Sequence, residues 1–395
     1  LKKPVIITTT THLAVWQADL ADVHYIIQNP EDIQPSLLSA GKIILFTGPA
    51  GDDDRFHGLQ NEALDKLHTL CRQQNLNLLI EADGARQRTV KAPADYEPVI
   101  PGFVDHVIVM VGLSALGKPM DSAVVHRPEL FTKITGLKEG DHIREDDLVR
   151  LLCFENGGLK GIPQGSKKIA FLNQADDAIT ASKGGRIARQ LTGYYDRVLV
   201  GSIEHPTVRG PVQCVLSQTA GVILAAGGSE RLKTPKQLLD WRGKPFIRNV
   251  AETALETGLS PLIIITGAYH DQVQRSVEGM SVKIVYNPDW EQGQSTSVRL
   301  GIGSLPAQCD SVMFLLCDQP HISAHLIRQL LARYAMNRFA VTAPMVDGQR
   351  ANPMLFNRGT FDAFESISGD RGGRAILNQF EVDWLPWVDR RILLD

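Results

Sequence analysis

The chain has 395 residues, of which 43% are hydrophobic and 22% charged, and its formal net charge is −3. These values are typical of a globular protein with two or three domains, and they exclude a strongly basic nucleic-acid-binding protein. The longest apolar runs, such as residues 107–113, are too short to cross a bilayer, so we expect neither a nucleic-acid nor a membrane partner. No secretory signal opens the sequence, and the five scattered cysteines form no CxxC pair. Together these features predict a cytoplasmic location with reduced thiols.

The first half alternates between strand and helix patterns. Helical periodicity covers residues 61–74 and 146–153. Apolar runs of strand length occur at residues 5–7, 42–46, 76–80, 104–111, 168–172 and 198–201. This alternation predicts an α/β domain with a mostly parallel sheet.

Polar residues follow two of these predicted strands. Four threonines and His12 follow the first strand, where they could contact phosphate or a metal, or could equally cap a helix. The strand that ends at Glu81 and Asp83 resembles the second acidic motif of phosphate-loop NTPases, which organises Mg²⁺ and water. Alternation along a strand would place these two carboxylates on the same side.

Four ordered motifs give the first half a family resemblance. They are residues 8–12, 81–84, 91–98 and 125–129, and they resemble the accessory proteins proposed for selenium-dependent molybdenum hydroxylases. The resemblance implies a phosphate-loop-NTPase-like domain and a molybdenum hydroxylase apoenzyme as a partner. Members normally carry a GGGGKT-type loop before the threonine run, and this sequence begins where that loop would end. With Leu1 rather than Met in first place, we expect the sequence to be a piece of a longer product.

A domain boundary is predicted near residue 216. Gly210-Pro211 interrupts the first pattern, and the polar stretch 217–220 precedes the next apolar strand. The predicted domains are therefore residues 1–216 and 217–395.

The second half again alternates between strands and helices. Strands are predicted at residues 222–226, 261–267 and 282–286 and within 311–320, with helices at 246–257 and up to residue 305. This pattern predicts a doubly wound, Rossmann-like sheet, whose ligands bind at the carboxyl ends of its strands.

The first strand of this half runs into a glycine-rich, basic loop. Gly227, Gly228 and Ser229 allow backbone amides to turn toward a ligand, and Arg231 and Lys236 add positive charge. Such a loop suits a triphosphate, although it matches neither the GxxxxGK[ST] nor the GxGxxG pattern. Taken alone, it could also be an ordinary turn with solvated basic residues.

Further candidate residues follow other strands. Asp318 ends a buried strand, where it could bind Mg²⁺ together with phosphate oxygens or could cap a helix starting near Ser323. Asn287, Gly293 and Ser297 could read base and ribose, and helix capping is an equally good interpretation.

A second glycine-rich loop, Gly369-Asp-Arg-Gly-Gly-Arg374, offers charged groups to an anionic acceptor, and so does Arg350-Ala-Asn-Pro353. An ordinary Asp-Gly surface turn would explain the first of these loops equally simply. We therefore treat both as candidate acceptor contacts.

These motifs occur in the order found in one enzyme family. The strings LAAGGSER, Pro235-Lys236, NPDW, CDQP, NPMLF and GDRGGR resemble the molybdenum cofactor cytidylyltransferases. The resemblance implies attack of the molybdopterin phosphate on the α-phosphorus of CTP, giving a cytosine dinucleotide and pyrophosphate. It further implies that Arg231 and Lys236 offset negative charge and that Asp318 holds Mg²⁺. The residues it implies for binding CTP and the molybdenum cofactor are Ala225, Ala226, Gly227, Gly228, Ser229, Asn287, Gly293, Ser297, Asn352, Asp370, Gly372 and Arg374.

Specificity remains open at three points. Related guanylyltransferases tend to carry Gly-Gly at Ala226-Gly227, so the resemblance favours CTP over GTP. Gln237 after Lys236 is also compatible with a cytidylyltransferase of a sugar or polyol phosphate. A non-catalytic carrier or chaperone of molybdenum cofactor is a third interpretation.

The family's usual D-x-D-T-P segment would start at Asp395, so the identity of a second metal ligand stays open.

Overall fold

The computed structural model describes residues 3–39, 41–52, 54–229 and 234–394. The chain forms two compact units, Leu1–Lys168 and Ile169–Asp395. Both are mixed α/β units with parallel strand pairs, which confirms the predicted fold class. Within the described ranges, every helix is too short or too polar to span a bilayer.

The first unit contains a four-stranded parallel sheet. Its helices are α1 (Asn61–Gln73), α2 (Pro128–Thr135) and α3 (Glu145–Cys153). Its longer strands are β1 (Val5–Thr9), β2 (Val23–Ile26), β3 (Ile43–Thr47), β4 (Asn77–Glu81) and β5 (His106–Gly112). The sheet order is β2-β3-β1-β4, and each neighbouring pair is parallel.

Two short strand pairs extend the first unit. Leu13–Ala14 pairs with Arg55–Phe56, and Val90–Lys91 pairs in parallel with Val125–His126. Ile6, Ile44 and Phe46 of the sheet pack with the apolar face of α1 in one buried cluster. This packing fixes the carboxyl ends of β1 and β4 at one edge, where the threonine run and the Glu81 motif follow.

The second unit has more helices and strands than the first, and it contains a larger sheet. Its helices are α4 (Ala178–Leu191), α5 (Phe246–Leu255), α6 (His270–Ser276), α7 (Gln294–Gly303) and α8 (Ala324–Asn337). Its longer strands are β6 (Lys167–Asn173), β7 (Arg197–Gly201), β8 (Val212–Ser217), β9 (Thr219–Ala225), β10 (Leu262–Thr266), β11 (Lys283–Tyr286), β12 (Ser311–Leu316), β13 (Val341–Val346), β14 (Met354–Asn357) and β15 (Val382–Pro386).

The order in which the chain adds strands to the main sheet reverses next to β9. Its order is β11-β10-β9-β12-β14-β13, followed by the short strand Gln349–Arg350, and β15 pairs with β13. Strands β11, β10, β9 and β12 are parallel, whereas β14 runs antiparallel between β12 and β13. The chain passes from β9 outward to β11 and then returns to β12 on the other side of β9. The carboxyl ends of β9 and β12 therefore flank a crevice of the kind that binds ligands in open α/β sheets.

Apolar cores cover both faces of this sheet. Ile223 and Ala225 of β9 belong to a cluster with α5 and α8. Val222 and Leu224, which point the other way, belong to a cluster with α7 and the helical turn Arg358–Ser366. This alternation is the doubly wound arrangement that the sequence predicts.

The junction before β9 belongs to the second unit. Asp310 accepts hydrogen bonds from Arg338, from Arg197 at 3.2 Å and from Ser217 at 3.1 Å. Burial would raise the pKa of Asp310, but the bond and charge of Arg338 and the charge of Arg197 lower it overall. The compact units divide after Lys168, and the domain boundary near residue 216 stays a prediction.

Candidate active site

The glycine-rich loop begins where β9 ends at the edge of the crevice. Residues 226–229 are described, and Ser229 has a positive φ of 50°. The Ser229 hydroxyl accepts a hydrogen bond from the Lys236 backbone N–H at 2.9 Å, which closes the loop. Glu230, Arg231, Leu232 and Lys233 lie outside the described residues, so the catalytic role of Arg231 stays a prediction.

Gln237 lies beneath this loop. Its side chain is 2% exposed, and its amide donates hydrogen bonds to the carbonyl oxygens of Ala225 at 3.2 Å and Gly227 at 2.7 Å. The sequence pattern alone assigns Gln237 no role in the site, although its place directly after Lys236 is a usable signal. Gln237 therefore joins the two described ends of the loop.

Lys236 and Asp318 meet across the crevice. The Lys236 ammonium lies 3.5 Å from the Asp318 carboxylate, and the two side chains are 34% and 22% exposed. The structure thus brings together two residues that the sequence places more than eighty positions apart. A cation in the loop that follows β9 and a carboxylate just after β12 can contact a phosphate and its counter-ion together.

Asp318 does not cap the helix that follows it. The hydroxyl of Ser323 accepts a hydrogen bond from the Leu326 backbone N–H at 3.2 Å, so Ser323 caps α8. The carboxylate of Asp318 is therefore available to a ligand. Its role as a metal ligand stays a prediction.

The donor set at Asp318 fits Mg²⁺ better than a metal that needs a complete protein cage. No group of three or more His, Cys, Asp or Glu side chains suited to a metal ion occurs in the described parts of the chain. Mg²⁺ binds characteristically through one or two carboxylates plus substrate phosphates and water. A lone aspartate at the crevice satisfies that requirement when a triphosphate supplies the remaining oxygens.

Trp290 supports the loop from the other side. A Cβ atom at Gly228 would lie 2.9 Å from the Trp290 ring, and one at Gly267 would lie 2.7 Å from the Trp290 Cβ. Both positions therefore admit only glycine without rearrangement. Trp290 occurs within the NPDW string, but the sequence pattern predicts no role for it.

Asn287 and Ser297 lie in a buried polar cluster. The Asn287 amide donates to Thr296 at 2.8 Å and to Ser297 at 2.9 Å, and its oxygen accepts the Asp289 N–H at 3.0 Å. Asn287 is 2% exposed and Ser297 3% exposed. These bonds fix the turn that leads into α7, and contact of either residue with base or ribose stays a prediction.

The second glycine-rich loop docks on the start of α7. The Ser295 N–H donates to the Gly369 carbonyl at 3.0 Å, and the Gln294 N–H donates to the Asp370 carboxylate at 3.3 Å. Gly293 has φ = 105°, and a Cβ atom there would lie 2.4 Å from the Gly369 carbonyl carbon. The predicted candidates Gly293 and Asp370 are therefore in direct contact.

A cavity of about 630 Å³ opens between α7, the ends of β9 and β12, and the second loop. Its lining combines apolar and polar side chains. The apolar residues are Leu224, Val298, Phe314, Leu316, Met354, Phe356, Ala375 and Leu393, and the polar side chains are Gln294, Gln319, Asn352, Asp370, Arg371 and Arg374. The volume and lining suit a small molecule with a flat apolar body and an anionic group.

The predicted acceptor residues line this cavity. Asn352, Asp370, Gly372 and Arg374 all contribute to its surface. The Asn352 amide donates to Gln319, directly after Asp318, at 3.3 Å. The cavity therefore includes Gln319, the residue that directly follows Asp318 in the sequence.

The first unit brings its own motifs together through ion pairs. Lys91 contacts the carboxylate of Asp83 and lies 2.7 Å from Glu97. Arg127 donates two hydrogen bonds to Glu97, at 2.6 and 3.1 Å. Burial raises the pKa of Glu81, and the charge of neighbouring Asp83 adds to that rise. Three of the four family motifs of the first half thus meet in one charged cluster.

The acid stability of the first unit should depend on Glu97. Burial alone would raise the pKa of Glu97, but hydrogen bonds from Arg127 and Lys91 hold it at about 2. A depressed folded-state pKa stabilises the protein above the ordinary value of 4.5, and the contribution disappears as the pH falls toward 2. Glu97→Gln should therefore lower the free energy of unfolding at pH 7 by about 2–3 kcal/mol.

Urea denaturation at pH 7 and at pH 3 provides the measurement. The wild type should lose more stability between these pH values than the Glu97→Gln variant does. Glu139→Gln, at an exposed position in the same unit, is the matched control. An equal loss in wild type and variant would contradict the assignment of the low pKa to these bonds.

Known proteins match the two halves separately. A family model described as YqeC protein matches residues 1–129, and one described as MobA-like NTP transferase domain matches residues 221–383. The protein YqeC of Escherichia coli strain K12 is 30% identical over 206 residues, which are 52% of this chain and 79% of that protein.

Relatives of the second half carry two kinds of name. Nicotine blue oxidoreductase of Paenarthrobacter nicotinovorans is 32% identical over 175 residues, which are 42% of this chain and 83% of that protein. A probable molybdenum cofactor guanylyltransferase of Bacillus mycoides is 28% identical over 142 residues, which are 35% of this chain and 68% of that protein. The chain thus belongs to the YqeC family through its first half, and through the MobA-like NTP transferase domain of its second half it is a nucleotidyltransferase.

Proposed function

We propose that the protein transfers the cytidylyl group of CTP to molybdenum cofactor, forming the cytosine dinucleotide and pyrophosphate. The observation that carries the proposal is the cavity that includes Gln319, directly after Asp318, and whose lining combines apolar side chains with arginines. A pterin with a phosphate group matches both parts of that lining. The name of the Bacillus relative supports the acceptor, and Ala226, where guanylyltransferases tend to carry glycine, supports CTP.

The reaction would require a precise arrangement of charges. An oxygen of the acceptor phosphate attacks the α-phosphorus of CTP, and the bond from that phosphorus to the bridging oxygen breaks, releasing pyrophosphate. The amides of residues 226–229 would hold the triphosphate, and Lys236 would offset its negative charge. Bound Mg²⁺, held by Asp318, would neutralise charge on the phosphates. No covalent enzyme intermediate is needed, because positioning and charge stabilisation carry phosphoryl chemistry.

The first half of the chain adds a partner protein to this proposal. Its YqeC-family sequence and the resemblance to accessory proteins of molybdenum hydroxylases support a role in handing the product to an apoenzyme. In this role a molybdenum hydroxylase apoenzyme would be the partner that receives the modified cofactor.

An acceptor panel tests the proposal. The protein is incubated with CTP and Mg²⁺, and pyrophosphate release is followed with molybdenum cofactor, with methylerythritol phosphate and without an acceptor. We expect release only with molybdenum cofactor. Release with the polyol phosphate alone would favour the sugar or polyol reaction. Binding of the cofactor with no turnover of CTP or GTP would favour a carrier, and either result would overturn the proposal.

A further inference from the structure

We propose that Gln237 is a positioning residue for nucleotide phosphates. It holds carbonyl groups of the glycine-rich loop at the end of β9 (residues 225–229) away from the ligand. A loop that binds an anion through its amides must direct its N–H groups at the ligand and its carbonyl oxygens elsewhere. The four carbonyl groups of residues 225–228 meet that requirement through bonds on two sides of the loop.

The bonds alternate along the loop. The Gln237 amide binds the carbonyl oxygens of Ala225 and Gly227. The carbonyl oxygen of Ala226 accepts the Ala268 N–H at 3.1 Å. That of Gly228 accepts the Tyr269 hydroxyl at 3.1 Å. One buried side chain therefore accounts for half of the occupied carbonyl groups.

Because each peptide group is planar, these bonds also fix the directions of the backbone N–H groups. The peptide bonds here are trans, so the N–H of each residue points opposite to the preceding carbonyl group. The Gln237 bonds to the carbonyl groups of Ala225 and Gly227 therefore fix the N–H groups of Ala226 and Gly228 on the side away from Gln237. Neither of these two amides donates a hydrogen bond to another residue that the structure describes. They are donors set in place for an anion.

Gln237 also connects these amides to Lys236, the lysine proposed to offset the charge of the triphosphate. Its side-chain oxygen accepts from the Ser229 hydroxyl at 3.4 Å, and Ser229 in turn accepts the backbone N–H of Lys236. Loss of the Gln237 amide would free the carbonyl group of Gly227, which lies outside the strand, to rotate toward the phosphates. A carbonyl oxygen facing a phosphate oxygen is repulsive, so we expect nucleotide affinity to fall.

The test uses inorganic tripolyphosphate with saturating Mg²⁺ as the probe, measured by calorimetry on the whole protein. Gln237→Met keeps the length of the side chain and removes both donors, and Gln237→Glu replaces the donors with an acceptor. We expect the dissociation constant to rise about tenfold in Gln237→Met and further in Gln237→Glu. Gln329→Glu, at an exposed position on α8, controls for the added negative charge.

Kinetics separate positioning from general stability. The KM for the nucleotide should rise about tenfold, in step with the dissociation constant, while the acceptor KM stays unchanged. A merely structural residue would lower the melting temperature and leave both constants of the folded protein unchanged, and that result would overturn the proposal. Because tripolyphosphate carries no base, the test does not depend on whether CTP or GTP is the substrate.

Discussion

Asp318→Asn should lower kcat/KM for nucleotidyl transfer by about 10²–10³-fold, because it removes the carboxylate proposed to hold Mg²⁺ beside the triphosphate. Asparagine has nearly the same shape, so the cavity and the bond between Gln319 and Asn352 should persist. The ion pair with Lys236 is partly exposed, and its loss should change the free energy of unfolding by less than about 1 kcal/mol. Steady-state pyrophosphate release at several Mg²⁺ concentrations provides the measurement.

Asp362→Asn is the matched control, since Asp362 is exposed and lies away from the crevice. It should retain wild-type activity. If Asp318→Asn kept more than half of the wild-type kcat/KM at every Mg²⁺ concentration, the role assigned to Asp318 would be wrong.

Gly293→Ala should lower the free energy of unfolding by about 2–4 kcal/mol, from a strained backbone and a steric clash together. The residue has φ = 105°, and the added methyl group would meet the carbonyl group of Gly369. Since Asp370 and Gly372 line the cavity, displacement of their loop should raise the acceptor KM more than the nucleotide KM. Thermal denaturation and kinetics with each substrate varied in turn provide the measurements.

Gly279→Ala separates the two causes. Gly279 also has a positive φ, of 79°, but a Cβ atom there would meet nothing within 4 Å. Its substitution should therefore cost only the backbone strain, about 1 kcal/mol, and leave the acceptor KM unchanged. Equal effects of the two substitutions would show that the contact with the second loop is unimportant.

The sequence predicts much of the fold because local patterns determine it. The predicted helix at 61–74 occurs as Asn61–Gln73, and the predicted strand at 282–286 occurs as Lys283–Tyr286. Periodicity gives no information on strand order, so the antiparallel insertion of β14 between β12 and β13 could not be predicted. The sequence pattern also does not predict the edge strand β2, because its apolar residues are interrupted by His24 and are only partly buried.

The candidate site is predicted less completely than the fold. Asp318 is recognisable because charged residues at strand ends follow a general rule for α/β sheets, and Lys236 because it adds positive charge to a glycine-rich loop. The supporting role of Trp290 depends on contacts between distant segments, which no local pattern encodes, whereas Gln237 is signalled only by its place directly after Lys236. Asn287 and Ser297 are predicted as nucleotide contacts, yet their burial and mutual hydrogen bond are visible only in three dimensions.

The most direct measurement is a competition between equal concentrations of CTP and GTP in the presence of molybdenum cofactor and Mg²⁺. The mass of the dinucleotide product identifies the transferred base. The proposed function predicts a product that contains cytosine at least tenfold in excess over guanine, for a preference of about 1.4 kcal/mol. A guanine product, or equal amounts of both, would contradict it.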